Sequence, residues 1–322
     1  MEKLRIIFMG TPDFAVASLA ALKENGHQIV GVVTVPDKPA GRGKKLQMSA
    51  VKKYALEHDL FLLTPLKLKD PEFLDTMASL KADVQVVVAF RMLPEVVWNM
   101  PKWGTFNLHA SLLPQYRGAA PINHAIINGE TVTGVTTFFL DHQIDTGKII
   151  DQKRCQIEEE DTAGDLHDKL MVQGAQLVLE TVDKLEKGEI EAQPQNSFLN
   201  QLELKHAPKI FKEDGLVDWN RPSDLVYNQI RGLSPYPAAW TWLQEKSGAK
   251  FSMKIYSAKK TSFPSKDQPG SIQVDAEGHL LVHCSDYCLE ILELQLQGKK
   301  RMKTQDFLRG FSISIGMRFS RV

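Results

Sequence analysis

Two clusters of side chains between residues 105 and 150 can do acid–base and electrostatic chemistry. The first is Asn107-Leu108-His109-Ala110-Ser111-Leu112-Leu113-Pro114, followed by Gln115-Tyr116-Arg117-Gly118-Ala119-Ala120-Pro121-Ile122. Read as a strand, FNLHASLL points Asn107, His109 and Ser111 to one face, because side chains alternate with period two. The end of that strand delivers a neutral amide and an imidazole to one cleft. A lone histidine on a strand is more often structural. Here the asparagine two residues earlier and the rigid Leu-Leu-Pro turn favour chemistry. The second cluster is Asp141-His142-Gln143-Ile144-Asp145-Thr146-Gly147-Lys148. A carboxylate in a turn ending Thr-Gly can orient an imidazole or accept a proton. Taken alone it is also an ordinary Asp-containing turn.

The elements that must position these residues alternate. LRIIFMG reads as a short strand ending at Gly10, FAVASLAALKENG as a helix stopped by Gly26, HQIVGVVTV as a strand and SAVKKYALEHD as a second helix. ADVQVVVAF is a continuous apolar run of the kind buried on both faces in a central parallel strand. GTFNLHASLLP and TGVTTFFLD follow as strands. This order predicts an α/β fold with an open, mostly parallel Rossmann-like sheet and helices on both faces. Ligands of such sheets bind outside the carboxyl ends of the strands. Leu166, Leu170, Leu177, Val178, Val182 and Leu185 recur near the helical repeat, with Gly188 as a stop.

A polar, aperiodic stretch comes next, and the texture then changes. SDLVYNQIRGL reads as a short helix. AAWTWL, KFSMKIYSAKK, GSIQVDAEG, HLLVHCSD and YCLEILELQL read as short strands, with a final FLRG turn. Strands at that spacing predict a small OB-like β-barrel. The expected organisation is a catalytic domain over 1–189, a linker over 190–207 and a barrel domain over 208–322.

Composition narrows the class. With 43% hydrophobic and 24% charged residues the chain is globular rather than disordered. No run approaches the roughly 18–20 apolar residues that span a bilayer, and MEKLRIIFMG lacks the features of a secretory signal. Cytoplasmic residence without a membrane partner is the expectation. Cys155, Cys284 and Cys288 imply no disulfide framework. His283 with Cys284 and Cys288 faintly suggests a metal site, against the simpler reading of an alternating strand. Zero net charge argues against a general nucleic-acid binder. From Lys205 onward, however, about 18 Lys+Arg face about 12 Asp+Glu. That excess fits a partner with one polyanionic segment, and it also fits chance.

The order NxHxSLLPxYRG, with an acidic loop containing DTG about 30 residues later, resembles the formyltransferases that use 10-formyltetrahydrofolate. Phe8-Met9-Gly10-Thr11-Pro12-Asp13-Phe14-Ala15, Val33 to Lys45 and Arg231-Gly232-Leu233-Ser234-Pro235-Tyr236-Pro237-Ala238-Ala239-Trp240 extend the resemblance over essentially the whole chain, toward the members that act on methionyl-tRNA. The resemblance implies a catalytic set of Asn107, His109 and Asp145. Ser111, Leu112, Leu113 and Pro114 would wall the folate cleft, with Phe90, Arg91, Met92 and Leu93. At this last segment many members have an aromatic followed by Gly. The Arg-(apolar)-Leu found here looks more like glycinamide ribonucleotide formyltransferase, where a guanidinium could lie along the pterin or reach a substrate carboxylate.

The same resemblance makes 10-formyltetrahydrofolate the co-substrate, with no metal. It makes initiator methionyl-tRNA the acceptor and the α-amino group the site of formylation, for translation initiation, with a monomer expected. Lys38, Arg42, Lys44 and Lys45, interleaved with Gly41 and Gly43, read alone as a solvated loop; in the family context Arg42, Lys44 and Lys45 suit contacts to RNA phosphates and bases. The competing readings are a formyltransferase for a sugar-nucleotide or other small amine, which needs no cationic loop, and an RNA-binding protein with a relict folate cleft.

Overall fold

The computed structural model describes residues 3–40, 45–198, 203–314 and 316–321. Two compact units result, neither continuous in sequence. The first takes Met1–Gly118, Val132–Gln156 and His167–His206, and the second Ala119–Thr131, Ile157–Leu166 and Ala207–Val322.

In chain order the elements begin β1 (Arg5–Gly10), α1 (Asp13–Glu24), β2 (Gln28–Val33), the hairpin β3 (Lys38–Ala40) and β4 (Lys45–Gln47), and α2 (Ala50–Glu57). There follow β5 (Leu62–Leu63), α3 (Pro71–Ser79), β6 (Val84–Val88), α4 (Glu95–Trp98), β7 (Thr105–His109) and β8 (Arg117–Gly118). After α5 (Pro121–Ile127), which belongs to the second unit, come β9 (Val132–Phe139), β10 (Ile149–Gln156) and α6 (Ala163–Lys187).

The first unit is built on one seven-stranded sheet in the order β10-β9-β7-β6-β1-β2-β5. Its five strands from β7 to β5 are parallel, and β9 and β10 add antiparallel at one edge. The apolar run read as a central strand is β6, buried at every position. Alternation then sorts the faces. Ile7, Met9, Val33 and Val87 pack with Phe73 and Met77 of α3 and Val97 of α4. On the other face Leu108 lies so close to α6 that a Cβ at Gly174 would stand 2.7 Å from its Cδ2, and Thr137 and Thr181 share a 2.9 Å hydrogen bond. The six residues of the expected α6 stripe are all buried, each side chain of that size contributing about 1.5–3 kcal/mol. Helix α3 and strand β10 were not apparent from periodicity, being short or polar.

Beyond the two-residue strand β11 (His206–Ala207) the second unit holds α7 (Ser223–Leu233), β12 (Ala239–Gln244), β13 (Lys250–Pro264), β14 (Ile272–Val274), β15 (Leu280–His283), β16 (Tyr287–Leu296), β17 (Met302–Lys303), α8 (Thr304–Gly310) and β18 (Arg318–Ser320). Their antiparallel sheet runs β14-β15-β16-β13-β12-β18, with β17 on β16. It nearly closes into a barrel where Ser271 bridges Arg318 and Phe319 N donates to Gly270 O at 2.8 Å. Gly270 has φ +87°, and a Cβ there would stand 2.2 Å from that strand's backbone, so closure requires glycine. Met253, Ile255, Leu289, Ile291, Leu294 and Phe319 fill the interior, with Val226 and Ile230 of α7.

The final FLRG segment is a helix, α8, and not a turn, and it is followed by a closing strand that local pattern does not reveal. The cysteine reading resolves toward structure. All three thiols are buried, burial pushes Cys284 up to about 12, and His283 Nδ1 accepts a hydrogen bond from Lys266 N at 3.3 Å. Among the described residues no helix is long and apolar enough to cross a membrane.

Candidate active site

Strand β7 ends at His109, so Asn107 and His109 share one face, and the chain turns before Ser111. His109 is buried. Its Nε2 donates to Tyr116 O at 2.9 Å, and its Nδ1 stands 3.9 Å from Asp145 Oδ2. A carbonyl oxygen can only accept, so Nε2 carries a proton, and Nδ1 is the nitrogen turned to the carboxylate. The Asn107 amide is half-buried and has no hydrogen-bond partner among the described residues, which leaves its N–H groups available to a reacting atom.

Asp145 reaches this place by a detour. β9 ends beside the start of β7, with Phe139 opposite Phe106, so loop 140–148 must fold back along the strand. Asp141 Oδ1 shapes the loop by accepting from Gln143 N at 2.9 Å and Thr146 Oγ1 at 2.7 Å. Gly147 passes so near that a Cβ would fall 1.7 Å from Phe139 O. Asp145 Oδ2 accepts from Gly118 N at 3.0 Å. Asp145 and Tyr116, which present oxygen atoms to the two nitrogens of the His109 ring, both have left-handed backbones, φ +56° and +60°. Non-glycine residues enter that region at a cost of about 1–2 kcal/mol, so packing around them holds the conformation.

The SLLP turn is tied from beneath. Thr136 Oγ1 donates to Ser111 O at 2.6 Å and accepts from Leu113 N at 3.1 Å, while Gln152 Nε2 donates to Leu113 O at 2.8 Å. Ser111 is fully buried with its hydroxyl on Gln115 O, and Leu113 packs with Phe138 and Ile149. Pro114 is buried and Leu112 half-buried. These four residues form the turn that follows β7.

Phe90 to Leu93 follow β6, at the same edge of the sheet as the end of β7. Met92 is exposed and Leu93 buried. The Arg91 guanidinium donates to the carbonyls of Leu66 and Pro65 and lies 5.6 Å from the Phe90 ring. Burial lowers its pKa below the ordinary arginine value, and Nε is buried without a hydrogen-bond partner among the described residues. Of the cationic loop, Arg42 and Lys44 lie outside the described residues. Lys45 begins β4, which pairs with β3 as a hairpin.

One residue in this network gave no sequence signal. Gln195, in the stretch read as a linker, is 2% exposed. It donates to Asp145 O at 2.8 Å and Gly147 O at 2.9 Å, and accepts from Arg117 Nε and Nη2 at 3.0 and 2.6 Å. Nothing local distinguishes it from the polar residues around it.

A Rossmann-like sheet with an amide and an imidazole on one strand, a carboxylate folded against the ring and a separate small barrel define a two-part group-transfer enzyme. The formyl transferase model matches residues 3–182 and the formyl transferase C-terminal domain model residues 209–312. The chain belongs to the formyl transferase family. It is 55% identical over 321 residues to a methionyl-tRNA formyltransferase of Bacteroides fragilis, covering 100% of this chain and 99% of that one. It is 57% identical over 312 residues to the protein of that name from Parabacteroides distasonis, covering 96% of each. Among solved structures, the N-formyltransferase from Helicobacter canadensis in complex with folinic acid and dTDP-3-aminofucose shares the fold. The TM-score is 0.65 at 21% identity, over 93% of this chain and 100% of that one.

Proposed function

We propose that the protein transfers the formyl group of 10-formyltetrahydrofolate to the α-amino group of initiator methionyl-tRNA, giving N-formylmethionyl-tRNA for translation initiation. The observation that carries this reading is the end-to-end match, at 55% identity, to relatives named for that acceptor. The amine attacks the formyl carbon, the bond from that carbon to the folate nitrogen breaks, and one proton passes from amine to nitrogen. Asn107, whose amide has no hydrogen-bond partner among the described residues, would stabilise the charge that develops on the formyl oxygen, a role worth roughly 3–4 kcal/mol where measured. His109 adds to that stabilisation and relays the proton. Asp145, with Oδ2 3.9 Å from Nδ1, orients the ring or takes part in the proton transfer through a water.

Phe90 to Leu93 would line the folate cleft, and Ser111 to Pro114 would back it, which suits a flat heterocycle better than a metal ion. Arg42, Lys44 and Lys45 would meet the acceptor end of the RNA, and the barrel the rest. The domain reading of 1–189, 190–207 and 208–322 is retained as a proposal, with a cytoplasmic monomer. The deciding experiment supplies labelled formyl donor with either aminoacylated initiator tRNA or small amines. Label on the tRNA is expected. Label confined to an aminosugar nucleotide would overturn the acceptor.

A further inference from the structure

Gln195 occupies a position that a connector does not need. Its neighbour Gln193 pairs with Ile149 through two 2.8 Å backbone hydrogen bonds, which anchor this stretch beside the start of β10. The Gln195 amide then enters the interior and uses both of its ends. Its two N–H groups go to the carbonyls of Asp145 and Gly147, on either side of Thr146. Its oxygen receives the Nε and Nη2 of Arg117. Arg117 lies between Tyr116, whose carbonyl holds His109 Nε2, and Gly118, whose N–H holds the Asp145 carboxylate. One buried amide thus links the two segments that grip His109 from opposite sides.

We propose that Gln195 is a positioning residue of the active site, holding Asp145 in its left-handed backbone and in register with the Tyr116–Gly118 segment, so that the carboxylate faces His109 Nδ1. The proposal rests on the catalytic reading of His109 and Asp145. The physical argument is one of satisfaction. The carbonyls of Asp145 and Gly147 lie in a strained turn, and a fork with two donors on one rigid amide fixes both at once. Without it, they lose buried partners and the turn can relax toward an unstrained backbone, moving the carboxylate. A misplacement near 1 Å costs about 10²-fold in rate.

The test is a double-mutant cycle on the full-length protein, reading single-turnover formyl transfer, the KM of each substrate and thermal unfolding. Gln195→Ala is expected to lower kcat by about 10- to 100-fold while both KM values move less than about threefold. In an Asp145→Ala background the same change should alter kcat by less than about threefold, because there is no carboxylate left to misplace. If Gln195→Ala does not fold, Gln195→Glu carries the same cycle, since it keeps an acceptor for Arg117 but loses the donors to Asp145 and Gly147. Full turnover in a folded Gln195 variant, or an undiminished effect in the Asp145→Ala background, would overturn the positioning role alone. Wild-type turnover in Asp145→Ala itself would overturn the catalytic reading, and this proposal with it.

Discussion

His109 and Asp145 face each other across 3.9 Å, from Nδ1 to Oδ2, while Nε2 of the same ring donates to the carbonyl of Tyr116. The ring is therefore fixed at one nitrogen and turned to a carboxylate at the other. His109→Ala and Asp145→Ala should each lower turnover by about 10²–10⁴-fold, the range for a general acid–base group. Asn107→Ala should lose about 10²–10³-fold. Single-turnover transfer checked against circular dichroism reads all three. Near-normal rates in a folded His109→Ala protein would sink the mechanism.

Arg91 donates to two backbone carbonyls of the loop after β5, and its buried Nε has no hydrogen-bond partner among the described residues. Arg91→Ala should thus lower stability by about 1–3 kcal/mol, for hydrogen bonds to a charged group. It should also weaken folate binding more than tRNA binding. Urea midpoints and folate titration separate the two effects. An unchanged folate dissociation constant would confine Arg91 to a structural role.

If Arg42 grips the acceptor stem, Arg42→Ala should raise the KM for methionyl-tRNA with little change for folate. The log–log salt slope of RNA binding should flatten by roughly 0.7–0.9. Glu159→Ala should do neither. An unchanged slope and KM in the Arg42 variant would remove the loop from the RNA site.

Residues 119–131 and 157–166 precede the proposed linker yet pack in the second unit. Asn123 Nδ2 donates to Gly232 O at 2.7 Å, and Arg231 Nη1 to the carbonyls of Glu158 and Asp161 at 3.2 and 3.0 Å. A chain cut within 190–207 should therefore elute as one species in native buffer and separate only in denaturant. Release of a free N-terminal fragment without denaturant would show these contacts to be weak.

Asp286 holds the start of α7. Burial pushes its carboxyl up, but hydrogen bonds from the Ser223 and Tyr287 N–H groups outweigh it and keep the pKa below the usual carboxylate range. A depressed carboxyl contributes its full stability above the unfolded value near about 4, and loses it as pH falls through the folded one. Asp286→Ala should cost about 1 kcal/mol at pH 7, as for a lost cap, moderated by the exposure of this side chain. The gap should narrow in strong acid. Urea midpoints at both pH values test it; a gap that widens in acid would refute the sign.

Features set by short-range geometry were legible in the sequence. Asn107 and His109 share a face because strand alternation is local, and the six apolar positions of α6 are buried because helical periodicity is local. The burial of β6 needed only its own composition. Where partners lie far apart along the chain, residue type carried no such mark. Ser111 resembles a cleft residue in the strand pattern, yet β7 stops at His109 and the hydroxyl turns inward. β18 closes a barrel through a glycine 49 residues earlier. Gln195 stands in a polar run typical of a connector, and its partners Asp145 and Arg117 lie 50 and 78 residues away. A hydrogen bond depends on where two atoms meet in space, and for partners that distant only the tertiary fold brings them together.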